Sequence, residues 1–138
     1  VFIANQRVWL SDGNPGSARP LPGVNPAWNC SSVISDDAGR RCYFAVELQS
    51  GGHELWSTDG TENGLRIVRS GFKYAPLQMA YHRGALLFVA RGAGQFDLWR
   101  ADATSGATTV IASFRSVRDE PPRALDQRHR IGTRLFFS

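Results

Sequence analysis

Three aspartates recur at a fixed distance behind three tryptophans: Asp12 behind Trp9, Asp59 behind Trp56 and Asp102 behind Trp99. Carboxylates repeated in this way could form a ring that binds Ca²⁺ or a sugar. A Ca²⁺ site needs about six or more oxygens, usually from alternating acidic positions. Each segment brings one Asp, and only the middle one adds a second acid, Glu62. Glycine follows directly in two of the three, as Gly13 and Gly60. Asp accepts hydrogen bonds from N–H groups two residues on, and Gly supplies positive φ where a chain reverses. The spacing therefore favours a structural turn over a ligand loop, and neither a metal nor a cofactor is expected.

The other reactive side chains form no constellation. His53, His82 and His129 have no acidic ligands at metal spacing. No Gly-x-Ser-x-Gly elbow is present, and no Ser or Cys sits in sequence context with a His and an acid. "RGAGQF" at 91–96 reads as a hairpin tip, because no helix follows it to cradle a phosphate. No catalytic residue is assigned. Cys30 and Cys42 match no zinc spacing, and the 11 residues between them could be closed by a disulfide in an oxidising compartment. Two buried free thiols are the alternative. Trp28 follows Asn25-Pro26 outside the repeating pattern. It is a candidate partner or sugar contact, or else a packing residue under a longer loop.

The elements that position these residues repeat as well. "RVWLSDGNPG" at 7–16, "HELWSTDGTENG" at 53–64 and "FDLWRADATSG" at 96–106 share the Trp, the Asp and a later Gly. A second marker precedes each: "VFIAN" at 1–5, "CYFAV" at 42–46 and "LLFVA" at 86–90, with a fourth copy, "RLFFS", at 134–138. Phe2, Phe44, Phe88 and Phe137 mark this second series. Each period holds a Phe strand, a Trp strand, a strand after the Gly ("LRIVRS" 65–70, "ATTVIAS" 107–113) and a weaker fourth ("CSSVIS" 30–35, "LQMAYH" 77–82, "RALDQR" 123–128). All are short and bounded by turn formers, and none shows helical apolar spacing. Four short strands per ~40–50 residues in tandem predict β-propeller blades.

The expected fold is all-β and propeller-like, with about three four-stranded blades in repeats of approximately 1–41, 42–85 and 86–133. A fourth repeat would begin at 134–138. Propellers close with about four to eight blades, so the segment is expected to belong to a larger ring, with other blades as neighbours.

"ELWSTDGTENG" closely resembles the bacterial ELWxxDGT repeat, which occurs in tandem in secreted and surface proteins. The middle repeat carries Glu54, Leu55, Trp56, Asp59, Gly60, Thr61 and Gly64 of that pattern. The first keeps Trp9, Asp12, Gly13 and Gly16, with Arg7 and Val8 in place of Glu and Leu. The third keeps Leu98, Trp99, Asp102, Thr104 and Gly106, with Asp97 as the acid and Ala103 for the Gly. The resemblance implies a propeller-like fold, an extracytoplasmic location (secreted, periplasmic or cell surface) and a scaffold or recognition role rather than catalysis. The chain begins at Val1 rather than Met, which suggests an excerpted or processed segment.

Charge narrows the partners. The formal net charge is +4, and Lys73 is the single Lys among sixteen basic residues. Those residues are scattered, with no helical stripe or long run, which argues against nucleic acid. The longest apolar run is far short of the ~20 residues of a membrane-spanning helix. A non-catalytic interaction module that binds a protein or surface glycan through blade loops is the expectation. The alternatives are a lectin assembled from repeat fragments, or part of a propeller hydrolase or lyase whose active site lies elsewhere.

Overall fold

The computed structural model describes residues 1–92 and 94–115, and the backbone of 129–131 and 134–136. The strands are β1 (Phe2–Ala4), β2 (Arg7–Leu10), β3 (Arg19–Pro20), β4 (Asn29–Ser35), β5 (Cys42–Glu47), β6 (His53–Thr58) and β7 (Arg66–Phe72). They continue with β8 (Leu77–His82), β9 (Ala85–Arg91), β10 (Phe96–Asp102), β11 (Thr108–Phe114), β12 (His129–Ile131) and β13 (Arg134–Phe136). No helix occurs among the described residues. Strands β1-β2-β3 form sheet I, β4-β5-β6-β7 form sheet II and β8-β9-β10-β11 form sheet III, while β12 and β13 pair separately. Every pairing is antiparallel.

The sheets group the strands in a different phase from the repeats. "CSSVIS" falls in β4 and "LQMAYH" is β8, and each opens the sheet of the following Phe strand. A short reversal joins each of them to that strand: residues 36–41 before β5 and Arg83-Gly84 before β9. Arg83 and Gly84 both have positive φ, at 50° and 75°, which suits a tight antiparallel hairpin. "RALDQR" and Phe137 lie outside the described residues.

The two sequence markers turn out to be one structural feature. Phe2 pairs across the strands with Trp9, Phe44 with Trp56 and Phe88 with Trp99. Cross-strand partners project to the same side of a sheet, so each repeat places a Phe and a Trp on one face. Side chains alternate along a strand, which sends the preceding residue, Val8, Leu55 or Leu98, to the other face.

This alternation builds the core. Phe44 and Trp56 of sheet II pack with Val8 and Leu21 of the sheet I region. Phe88 and Trp99 of sheet III pack with Leu55 and Tyr43 on the opposite face of sheet II. Sheet II is thus covered on both faces, and its strand β5 reads as an unbroken apolar run with five consecutive buried residues. Phe44 and Phe88 are both 0% exposed, while Phe2 on the open face of sheet I is 38% exposed. On the far face of sheet III, Val89, Phe96 and Leu98 form a third buried cluster.

The expected disulfide is corrected. Cys30 stands opposite Val46 and Cys42 opposite Ser35, at the two ends of the β4–β5 ladder. Four residues of strand separate those positions, about 13 Å, whereas bridged Cα atoms lie within about 7 Å. Both cysteines are buried free thiols. Burial raises both, and Cys30 reaches a pKa of about 11, which leaves it protonated and unreactive at neutral pH.

Candidate functional site

The repeated aspartates act as turn formers. Asp12 Oδ1 accepts from the Asn14 N–H at 2.9 Å, and Asp59 Oδ1 from the Thr61 N–H at 2.9 Å. Asp102 Oδ1 accepts from the N–H groups of Thr104 and Ser105 at 3.0 and 2.9 Å. Gly13 and Gly60 have φ of 92° and 86°. Gly64 is required for a different reason: a Cβ there would collide with the Asp59 carboxylate. All three carboxyls sit below their usual range. The Ser17 hydroxyl and then the Asn14 N–H lower Asp12, and the Thr61 hydroxyl and N–H lower Asp59. Asp102 falls to about 2 through the Ser105 and Thr104 N–H groups and then Arg100. Among the described residues no group of His, Cys, Asp and Glu could hold a metal ion.

The variation between repeats also has local causes. Glu54 takes the Trp56 indole N–H at 2.8 Å. Where Arg7 replaces the acid, the Trp9 indole donates instead to the Ala4 carbonyl at 3.2 Å. In the third repeat Asp97 Oδ1 accepts from Gln95 Nε2 at 2.8 Å and from the Ser113 hydroxyl at 2.6 Å. Trp28 is half-buried in the core shared by sheets I and II, its ring centroid 5.0 Å from that of Trp56. It packs where the sequence also allowed a partner contact.

The described residues converge elsewhere, between sheets II and III. The backbones of these sheets approach at β4 and β8. Toward β7, β10 and β11 side chains of β7 reach across, among them Phe72 and the long Arg69. Arg69 on β7 donates from Nη1 to Thr108 Oγ1 at 3.0 Å, and its guanidinium lies 4.1 Å from the Trp99 ring centroid. Its buried Nε has no hydrogen-bond partner among the described residues. Trp99 stacks on Phe88 at 6.2 Å and meets Phe72 edge-on at 6.3 Å. On this aromatic floor opens a cleft of about 450 Å³, walled by the end of β7, the β7–β8 loop and the β9–β10 hairpin tip.

Three cations, Arg69, Lys73 and Arg91, line the cleft against one carboxylate, Asp97. Tyr74 is 40% exposed, with Arg91 at 4.8 Å and Lys73 at 5.5 Å from its ring centroid. A cation over an aromatic face is attracted by the ring quadrupole, which draws Lys73 and Arg91 toward the Tyr74 ring. A second cleft of about 400 Å³ opens between the same sheets at their other end, beside Arg41, Tyr43 and the Asp102 turn. Burial pushes the Tyr43 hydroxyl up to about 12.

From sequence, "RGAGQF" at 91–96 reads only as a hairpin tip and Lys73 only as the single Lys, so no binding role falls on the first cleft's loop residues. A signal was present in "VRSGFKY", 68–74, where the chain's one Lys and an Arg interleave with Phe72 and Tyr74. Compared with family models and with curated proteins, the chain matches none.

Proposed function

We propose that the chain is a propeller-like array of about three blades within a larger ring, related to the ELWxxDGT repeats. It serves as a non-catalytic interaction module of an exported bacterial protein. The observation that carries this reading is directional: each of the three sheets turns its Phe–Trp pair the same way. Such sheets have two unlike faces, each complementary to the opposite face of the next, and stacking of that kind closes into rings or runs on as a solenoid. Close approach at one edge, with clefts at the other, favours the curved outcome. The repeated side chains are used up in turns and cores, which leaves recognition of a protein or surface glycan to the loops.

Solution scattering of the chain with its natural flanking sequence tests the architecture. A flat, disc-like particle is expected, and an extended rod would overturn it. The recognition reading is tested by binding to cell-envelope glycans and secreted proteins with an Asp59→Asn variant. Binding is expected to survive that change, and its loss would return the turn acids to the role of ligands.

A further inference from the structure

We infer that the cleft between the β7–β8 loop and the β9–β10 hairpin binds an acidic saccharide, a sugar carrying a carboxylate or sulfate. This rests on the interaction-module reading and names the ligand class of one of its sites.

Charge is the first argument. Among the described residues, Arg69 bonds only a neutral hydroxyl and lies on aromatic rings, and Lys73 has only the Tyr74 ring. Neither has a carboxylate partner there. Two uncompensated cations beside Arg91 in a recess of about 450 Å³ make a site for an anion, within the size range of small-ligand pockets, about 300–1,000 Å³. Arg pairs with carboxylates and sulfates through parallel N–H donors, which gives such binding direction.

Two further features go beyond what a plain anion needs. The exposed Tyr74 ring at the rim offers an apolar surface on which the C–H face of a sugar can rest. Asp97 places a hydrogen-bond acceptor inside the same cleft. Both of its hydrogen bonds, from Gln95 and Ser113, reach Oδ1. Oδ2 accepts none among the described residues, so it can take a hydroxyl. A ligand that matches cations, an aromatic face and an acceptor must combine negative charge, a ring with an apolar face and hydroxyl donors. Inorganic anions lack the last two, and neutral sugars lack the first. Nucleic acid would be tracked by a line of cations along the backbone, and the remaining Arg are scattered through the sequence.

The test uses a galacturonate tetramer, with a galactose tetramer as the neutral control. A thymidine oligonucleotide and an aspartate peptide of matched charge serve as the other polyanions. Calorimetric titration of the wild type is compared with Lys73→Ala, Lys73→Arg and Tyr74→Ala. Both alanine changes fall on loop residues outside the packed clusters, and circular dichroism checks that the fold is kept. The uronate is expected to bind saturably and more weakly as salt rises. Lys73→Ala and Tyr74→Ala are each expected to weaken it by about tenfold or more, and Lys73→Arg to retain most of it. Unchanged affinity in either alanine variant overturns the assignment, as does equal binding of the neutral tetramer or of either other polyanion. Absence of uronate binding also overturns it, while leaving the module reading to its own tests, because a protein partner would still satisfy that reading.

Discussion

The acid Asp102 and the thiol Cys30 show how similar sequence signals can have different fates. Asp102 is partly exposed, and two N–H groups and Arg100 hold it at a pKa of about 2. Asp12 and Asp59 are lowered in the same sense by their own turns. A carboxyl whose folded pKa lies below its unfolded value contributes stability that is complete above about pH 4 and lost as pH falls through the folded value. Chemical denaturation followed from pH 5 to pH 2 is therefore expected to show stability falling across that range. Asp102→Asn is expected to flatten part of the fall, and a slope identical to wild type would remove the turn from the account. Cys30 follows the opposite course: burial raises its thiol, and its reactivity is lost to packing.

At the scale of single elements, the edge strands β4 and β8 share one kind of irregularity. Each has a register shift against its neighbour, between Ser31 and Val33 in β4 and between Leu77 and Ala80 in β8. Among the skipped positions, Ser32 and Gln78 both have φ of 53°. A non-glycine residue in this region is strained, and bulges of this kind bend and twist a strand. They occur in the two strands where sheets II and III come closest. Ser32 is exposed, so Ser32→Gly is expected to raise stability by about 0.5–1 kcal/mol in urea unfolding. A loss of stability would mean that the Ser32 side chain contributes more than its backbone costs. These bulges were not legible in "CSSVIS" or "LQMAYH", because neither segment contains a Gly to announce positive φ. The Asp-Gly turns were legible, since the residues that form them also require them.

Across the whole molecule, one position has three fates. Phe44 and Phe88 are sealed between sheets, while Phe2 lies on the open face of sheet I. In the 138-residue chain on its own, Phe44→Ala and Phe88→Ala are each expected to cost about 3–5 kcal/mol, and Phe2→Ala less than about 1 kcal/mol, read from urea midpoints. A cost at Phe2 equal to that at Phe44 would show that its face is covered in solution, and would count against the open arrangement of sheet I. By itself the sequence determined the all-β class, the strands from 42 to 114 and the Asp-Gly turns. Those features depend on neighbouring residues: alternation, turn chemistry and the repeat of both. Tertiary structure decided what depends on register and on stacking. It made the Phe and Trp markers a single cross-strand pair and assigned the fourth strand to the following sheet. It held Cys30 and Cys42 at opposite ends of a ladder. It also brought Arg69, Lys73 and Tyr74 of one sheet and its loop against Trp99, Arg91 and Asp97 of the next, an arrangement no local pattern encodes because it exists only where two sheets part.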